Sequence, residues 1–408
     1  MDEQLTFEFA ERTTIKGFPE LRWTGKRPYR STQYYPAQLR ERYGEERDGW
    51  INKIFWGDNL QVMSHLLKEY RGKIDLVYID PPFDSKADYK RKIALKGIGN
   101  TTSDATSFEE KQYGDIWTND EYLQFMYERL MILRELMSDT ASIFVHCDWH
   151  KVHHLRCLMD EIFGSNMFLN EIVWQRTRAA HSDATYFGKV HDTILVYKKG
   201  GQAKFNPLYT EHSEAYLKRF TKEENGRKYM LVPLHGPGQG VARNFFGKII
   251  APPAGRCWPV QSKIDELIAQ NRVELTSNGT PSKKSYLDEN NGNPVSDWWD
   301  DIVPLNPVAS ERTDYPTQKP EQLLERIVEA ATNRGDLVFD CFMGSGTTQS
   351  VAMKLGRRFI GADINLGAIQ TTTKRLINVA SELDGQLQEE IKYTGFEVYN
   401  VNNYDFFR

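Results

Sequence analysis

Asp80-Pro81-Pro82-Phe83 directly follows an apolar run of Ile74, Leu76, Val77 and Ile79. The run reads as a buried strand. Proline has no amide hydrogen to donate, so the strand ladder stops at Pro81 and Pro82. A carboxylate, unpaired backbone carbonyls and an aromatic ring therefore gather at the carboxyl end of a strand, where open α/β sheets bind their ligands. Far down the chain, Asp340-Cys341-Phe342-Met343-Gly344-Ser345-Gly346-Thr347-Thr348 follows another apolar strand and opens a helix. Glycines there let the backbone approach a ligand closely, and the helix start offers free amides to a negative group. Asp363 ends the next strand, a place where an acid suits the two hydroxyls of a ribose. No Lys-Ser/Thr follows the glycines, which disfavours a nucleoside triphosphate. The third glycine of the dinucleotide fingerprint is also missing, which disfavours a nicotinamide cofactor.

The elements that must position these residues follow from apolar periodicity. A strand at 51–56 leads through Gly57-Asp58-Asn59 into a helix at 60–70, apolar at Leu60, Met63, Leu66 and Leu67. The 74–79 strand follows. A polar stretch at 84–117, with five cations at its front, reads as a mobile flap over the site, since loops of that length inside a domain are usually functional or disordered. A helix at 120–137, a strand at 141–145, a helix at 150–163 and strands at 172–175 and 193–197 come next. Between 200 and 306 the alternation stops and Gly and Pro become frequent, so a separate, irregular or β-rich insertion is expected. Alternation then resumes with a helix at 321–332, strands at 337–340 and 359–363, and helices at 347–355 and 366–379. Such alternation argues a parallel sheet with helices on both faces. The tail after residue 383 has no assignment.

Composition narrows the class. The 408 residues carry a net charge of −4, so a polyanion must be met by a local basic surface. Residues 171–260 supply one, with 14 Lys/Arg against 7 Asp/Glu. Residues 21–42 interleave six Arg/Lys with Trp23, Tyr29, Tyr34 and Tyr35. This suits nucleic-acid contact, or equally a strap that packs its aromatics on the main domain. The four cysteines form no CxxC pair, and no apolar run approaches the ~18 residues of a membrane span. The start has no basic region followed by an apolar one, so a cytoplasmic protein without membrane contact is expected. His150 and His154 stand four apart on a helix, but no metal motif accompanies them and no metal is expected. Trp298-Trp299-Asp300-Asp301 reads as packing beside the ligand cleft.

With Asp-Pro-Pro-Phe at 80–83, the glycine motif at 340–348 and Thr317-Gln318-Lys319-Pro320 just before it, the chain resembles the DNA amino-methyltransferases that use S-adenosylmethionine. Target motif first and cofactor motif last is the order of their β class. The resemblance runs from about residue 50 to 379. One departure is Cys341, where the family frequently has proline. The resemblance implies a circularly permuted, doubly wound, Rossmann-like α/β sheet in the order 3-2-1-4-5-7-6, with strand 7 antiparallel. Strands 3 and 4 would be 51–56 and 74–79, strands 5, 6 and 7 those at 141–145, 172–175 and 193–197, and strands 1 and 2 those at 337–340 and 359–363. The domains expected are an arm at 1–49, a catalytic half at 50–199, a target-recognition insertion at 200–306, a cofactor half at 307–383 and a tail at 384–408.

The resemblance also implies roles. Asp80, Pro81, Pro82 and Phe83 would hold a base flipped out of double-stranded DNA, with Phe83 stacked on it. Asp340, Phe342, Gly344, Ser345, Gly346, Thr347 and Asp363 would hold S-adenosylmethionine, with Thr317 and Lys319 near its carboxylate. Asp58 would take the adenine amino group, or else cap the helix after it. The expected reaction is methylation of adenine N6 in a restriction–modification setting. Methylation of cytosine N4, methylation of RNA and a recognition-subunit role are the alternatives. Further partners raised by the resemblance are a cognate restriction nuclease and a second copy of the chain.

Overall fold

The computed structural model describes residues 5–9, 20–82, 119–178, 187–305, 309, 311–313, 315, 317–385 and 393–401. Phe83 and the expected flap at 84–117 lie outside the described residues. By its internal contacts the chain divides into two compact units, one of residues 1–207 and 296–408, the other Leu208–Val295.

The first unit is built on a ten-stranded sheet. Its strands lie in the order Trp298–Trp299, Phe168–Gln175, His191–Lys198, Met137–Cys147, Ile74–Ile79, Leu337–Asp340, Arg358–Asp363, Asn52–Trp56, Phe396–Val401 and Ala37–Tyr43. Neighbours run parallel except around the antiparallel 191–198 strand and at the outermost pair, 396–401 against 37–43. The central strands read as near-continuous apolar runs because both faces are covered. In the 74–79 strand Ile74, Leu76, Val77 and Ile79 are all fully buried. Helices Asn59–Tyr70, Asn119–Leu136 and Val152–Phe163 pack in one row, and Glu321–Ala331, Thr347–Lys354 and Leu366–Asp384 in another. The 59–70 helix buries one stripe, Val62, Met63, Leu66 and Leu67, whereas Thr347–Lys354 is buried on nearly all sides. Among the described residues no helix is long and apolar enough to cross a membrane.

One expectation changes, one open alternative is decided and one unassigned segment finds its place. The unassigned tail contains a strand, Phe396–Val401, inserted between 52–56 and 37–43, with Phe396 stacked on Tyr43 at 4.9 Å. The basic-aromatic segment near the start packs on the main domain. Trp23 is buried and donates to Gln124, while Lys26 pairs with Glu161 at 2.8 Å. Trp298 and Trp299 pair with Val173 and Trp174 at the far edge of the sheet, several strands from the glycine motif, rather than beside the cleft.

The second unit carries a four-stranded antiparallel sheet, ordered 222–224, 227–233, 281–286, 273–275, and the helix Gln261–Ala269. A small core of Phe245, Trp258, Ile264, Leu267 and Val273 holds it together. Its limits are narrower than the expected insertion at 200–306. The segment 199–207 is tied to the first unit by the Lys199, Lys204 and Asn206 amides, which donate to Ala141, Thr140 and Ala330.

Candidate active site

The 74–79 and 337–340 strands are parallel neighbours, and both stop at an aspartate or just before one. Asp80 and Asp340 are therefore delivered to the same end of the sheet. The 358–363 strand, next in line, ends in Asp363. A cavity of about 220 Å³ opens there, lined from one side by Asp80 and Pro82 and from the other by the glycine motif.

Asp80 is mostly buried and forms an ion pair with Lys319 through Oδ2. Its Oδ1 is buried and has no hydrogen-bond partner among the described residues. A buried carboxylate oxygen without a donor is costly, so this atom is an acceptor in want of an N–H or O–H group. Lys319 reaches Asp80 from the loop that precedes the 321–331 helix. In the same loop Thr317 has φ of 66°, left-handed backbone that a β-branched residue rarely adopts. Gln318 steadies the loop by accepting from the Thr313 amide and hydroxyl, both at 2.8 Å, and donating to the Glu311 carbonyl.

Asp340 is 2 % exposed and accepts from the Phe342 amide at 2.9 Å and the Thr348 hydroxyl at 2.6 Å. Burial pushes its carboxyl up to about 7, against the lowering effect of those two bonds. Asp363 accepts from the Gly344 and Asn365 amides, each at 2.8 Å, and burial raises it to about 6. The turn between them needs glycine. Gly344 and Gly346 have φ of 52° and 72°, and a Cβ on Gly346 would stand 2.5 Å from Thr372.

Behind the turn, buried Arg375 donates to the Ser345 carbonyl at 3.3 Å and to Thr347 Oγ1 at 3.0 Å. Glu321 holds Arg375 at 2.9 Å and Lys354 at 2.7 Å, and accepts from Ser350. These cations keep the Glu321 carboxyl below its usual range in spite of burial. One acid thus clamps three helices around the loop. No sequence signal marks Arg375 or Glu321, because their partners meet only in the folded chain.

Of the residues expected at a site, Asp80, Pro82, Thr317, Lys319, Asp340 and Phe342 line the cavity, as do Gly344, Ser345, Thr347 and Asp363. Pro81 is buried, and Gly346 shapes the turn from behind. Asp58 is not in the lining. Its Oδ1 caps the 59–70 helix by accepting from the Leu60 and Gln61 amides, and its Oδ2 pairs with Arg129 at 3.0 Å. The helix-cap reading is thus the one its contacts support.

The lining also includes Tyr78, Tyr315 and Gln318, which sequence reasoning passed over. Tyr78 starts a buried polar chain: its hydroxyl lies 3.0 Å from His146 Nδ1, and His146 Nε2 lies 3.1 Å from Asp192. Burial and the nearby Asp80 push the Tyr78 phenol well up. His150 is engaged with Asp148 at 2.6 Å, and among the described residues no group of three or more His, Cys, Asp or Glu could hold a metal ion.

The chain is similar to known proteins along most of its length. Residues 74–374 match the family model described as DNA methylase, N6_N4_Mtase. The chain is 33 % identical over 327 residues to the Type II methyltransferase M.EcaI of Enterobacter cloacae, covering 79 % of this chain and 69 % of that one. It is 29 % identical over 328 residues to the Type III restriction-modification enzyme StyLTI Mod subunit of Salmonella typhimurium, covering 74 % of this chain. It spans only 50 % of that relative's length. Among solved structures, the M1.HpyAVI–SAM complex aligns with 79 % of this chain and 98 % of its own at 17 % identity, with a TM-score of 0.41.

Proposed function

Because the chain belongs to the N6/N4 DNA methylase family, we propose that it transfers the methyl group of S-adenosylmethionine to the N6 amino group of an adenine in double-stranded DNA. The observation that carries this reading is the shared cavity. The end of the 74–79 strand and the Gly344–Gly346 turn line it together, and Asp80 Oδ1 within it is buried without a donor.

An exocyclic amino group has two hydrogens and a lone pair delocalised into the ring. Asp80 Oδ1 accepts one hydrogen and the Pro81 carbonyl the other, which aligns the nitrogen lone pair for attack. Phe83 stacks on the base once it has left the helix. Lys319 holds the Asp80 carboxylate in place through the other oxygen. S-adenosylmethionine, when bound, would supply an electrophilic methyl group, its sulfur leaving as a neutral thioether, and the Asp80 carboxylate that already accepts an amino hydrogen would take up the proton the nitrogen sheds.

The residues of the second half suit that cofactor. The glycines of the 344–346 turn would let the backbone approach it closely, Asp363 would accept from its ribose hydroxyls, and Asp340 lies where positive charge is favoured. Thr317 and Lys319 stand toward its carboxylate. In this reading the sheet is a circular permutation of the doubly wound methyltransferase sheet. The 208–295 unit recognises the target sequence, and the setting is a restriction–modification system with a nuclease supplied by another chain.

DNA treated with the purified chain and S-adenosylmethionine, then digested to nucleosides, should contain N6-methyladenine. N4-methylcytosine in its place would overturn the choice of base, and no methylated nucleoside would overturn the reading as a whole. An Asp80→Ala variant should keep cofactor and DNA binding and lose transfer by about 10²–10³-fold or more. Transfer at the parent rate would remove Asp80 from the mechanism.

A further inference from the structure

Residues 234–260 contain Arg243, Lys248 and Arg256 and not one Asp or Glu. Within them Arg243–Phe245 and Lys248–Ile250 form a hairpin closed by the two residues Phe246-Gly247. Both have left-handed backbone, with φ of 51° and 82°. That is the signature of a type I′ turn, in which Asn-Gly or Asp-Gly is preferred because a larger side chain at positive φ is strained. Phe246 therefore occupies the first turn position against backbone preference. Its ring is 53 % exposed, and Ile249 beside it on the hairpin is 72 % exposed.

The base of the hairpin is fixed. Phe245 is fully buried against Trp258, edge to face at 5.1 Å. The Trp258 indole donates to the Ile250 carbonyl at 3.0 Å. Gln261 accepts from the Asn244 amide and donates to the Asn244 carbonyl, both at 2.9 Å. A rigid stalk thus holds out a strained aromatic ring that adds nothing to the small core. Backbone strain that packing does not require points to a functional use. The chemistry on display is apolar at the tip and cationic along the flanks. A duplex nucleic acid matches both, with phosphates for the cations and a base stack that admits an apolar wedge.

Resting on the reading of the chain as a DNA methyltransferase, we infer that Phe246 is a wedge that enters the base stack of duplex DNA. The 243–250 hairpin carries it, and Arg243 and Lys248 meet the flanking phosphates. The wedge opens the stack at the step it enters.

The test uses the full chain, its F246G and F246W variants, and short duplexes carrying the methylated site, with 2-aminopurine placed at successive positions. The parent chain and F246W should raise the fluorescence at one base step of the duplex. F246G should lose that signal and bind the duplex about tenfold more weakly or worse. Because glycine relieves the strain at positive φ, F246G should melt at the same temperature as the parent or higher, with cofactor binding unchanged. Undiminished duplex affinity and fluorescence in F246G would overturn the inference. So would weaker binding accompanied by a lower melting temperature, which marks a structural role. A change in sedimentation with DNA affinity intact would assign the patch to a second copy of the chain, and would also overturn it. If the parent methylates no DNA, the functional reading fails; if it does and F246G has the same KM for DNA, the wedge alone fails.

Discussion

Three aspartates meet at the cleft, each under different constraints. Asp80 is paired by Lys319, whereas burial raises Asp340 to about 7 and Asp363 to about 6. The sign of the consequence follows from the charge of the proposed cofactor. A sulfonium cation favours the ionised carboxylates, so binding near neutral pH releases protons, and affinity rises as pH rises through about 6 to 7. Below that window the affinity should fall by up to about tenfold per pH unit for each carboxylate that must ionise. Titration calorimetry in buffers of differing ionisation heat should detect the released protons, and Asp363→Asn should remove the lower part of the pH dependence. Equal affinity at pH 5 and pH 8 would refute this account. Asp80, Asp340 and Asp363 were legible in the sequence because each sits where an apolar strand stops at proline, at the glycine motif or at a polar turn. Tyr78 was hidden inside its own strand, where a tyrosine among isoleucines reads as core. Asp58 could not be resolved from sequence because a helix cap and a ligand acceptor call for the same residue.

At the level of elements, the glycine turn depends on what presses against it. Thr372 from the last long helix fills the space a Cβ on Gly346 would need, and Arg375, one turn later, fastens the turn to that helix. Gly346→Ala should therefore cost about 1–3 kcal/mol in a urea melt, from the left-handed backbone together with the clash. Alanine tolerated there without loss would mean that the helix yields. The strands and helices of the alternating stretches were legible because their apolar period is regular. Phe396–Val401 was not. It is buried between two strands, yet carries Glu397 and Asn400 among its buried residues, and this mixture breaks the apolar run that marks a central strand. Trp298–Trp299 is too short to show any period.

For the molecule as a whole, the division at Leu208 and Val295 gives the recognition proposal a boundary. Exchanging 208–295 for the corresponding unit of a relative should move methylation to the relative's site, read by mapping modified bases in the DNA of expressing cells. An unchanged site would show that recognition lies elsewhere. The sequence showed a composition shift at 200–306 but not its edges, since the flanks 199–207 and 296–305 are as irregular as the insertion while belonging to the first unit. The strand order has a consequence for how the chain is made. The 52–56 and 74–79 strands leave the ribosome early, yet they are separated in the sheet by the 358–363 and 337–340 strands, which are synthesised much later. At about 5–20 residues per second, the wait lasts on the order of tens of seconds. Throughout it, the nascent amino-terminal half presents one unpaired edge of the 74–79 strand and both edges of the 52–56 strand, whose other neighbour, 396–401, is made last of all. Those edges invite pairing with another nascent chain, so sheet closure is a race between late-arriving strands and neighbours on the same polysome.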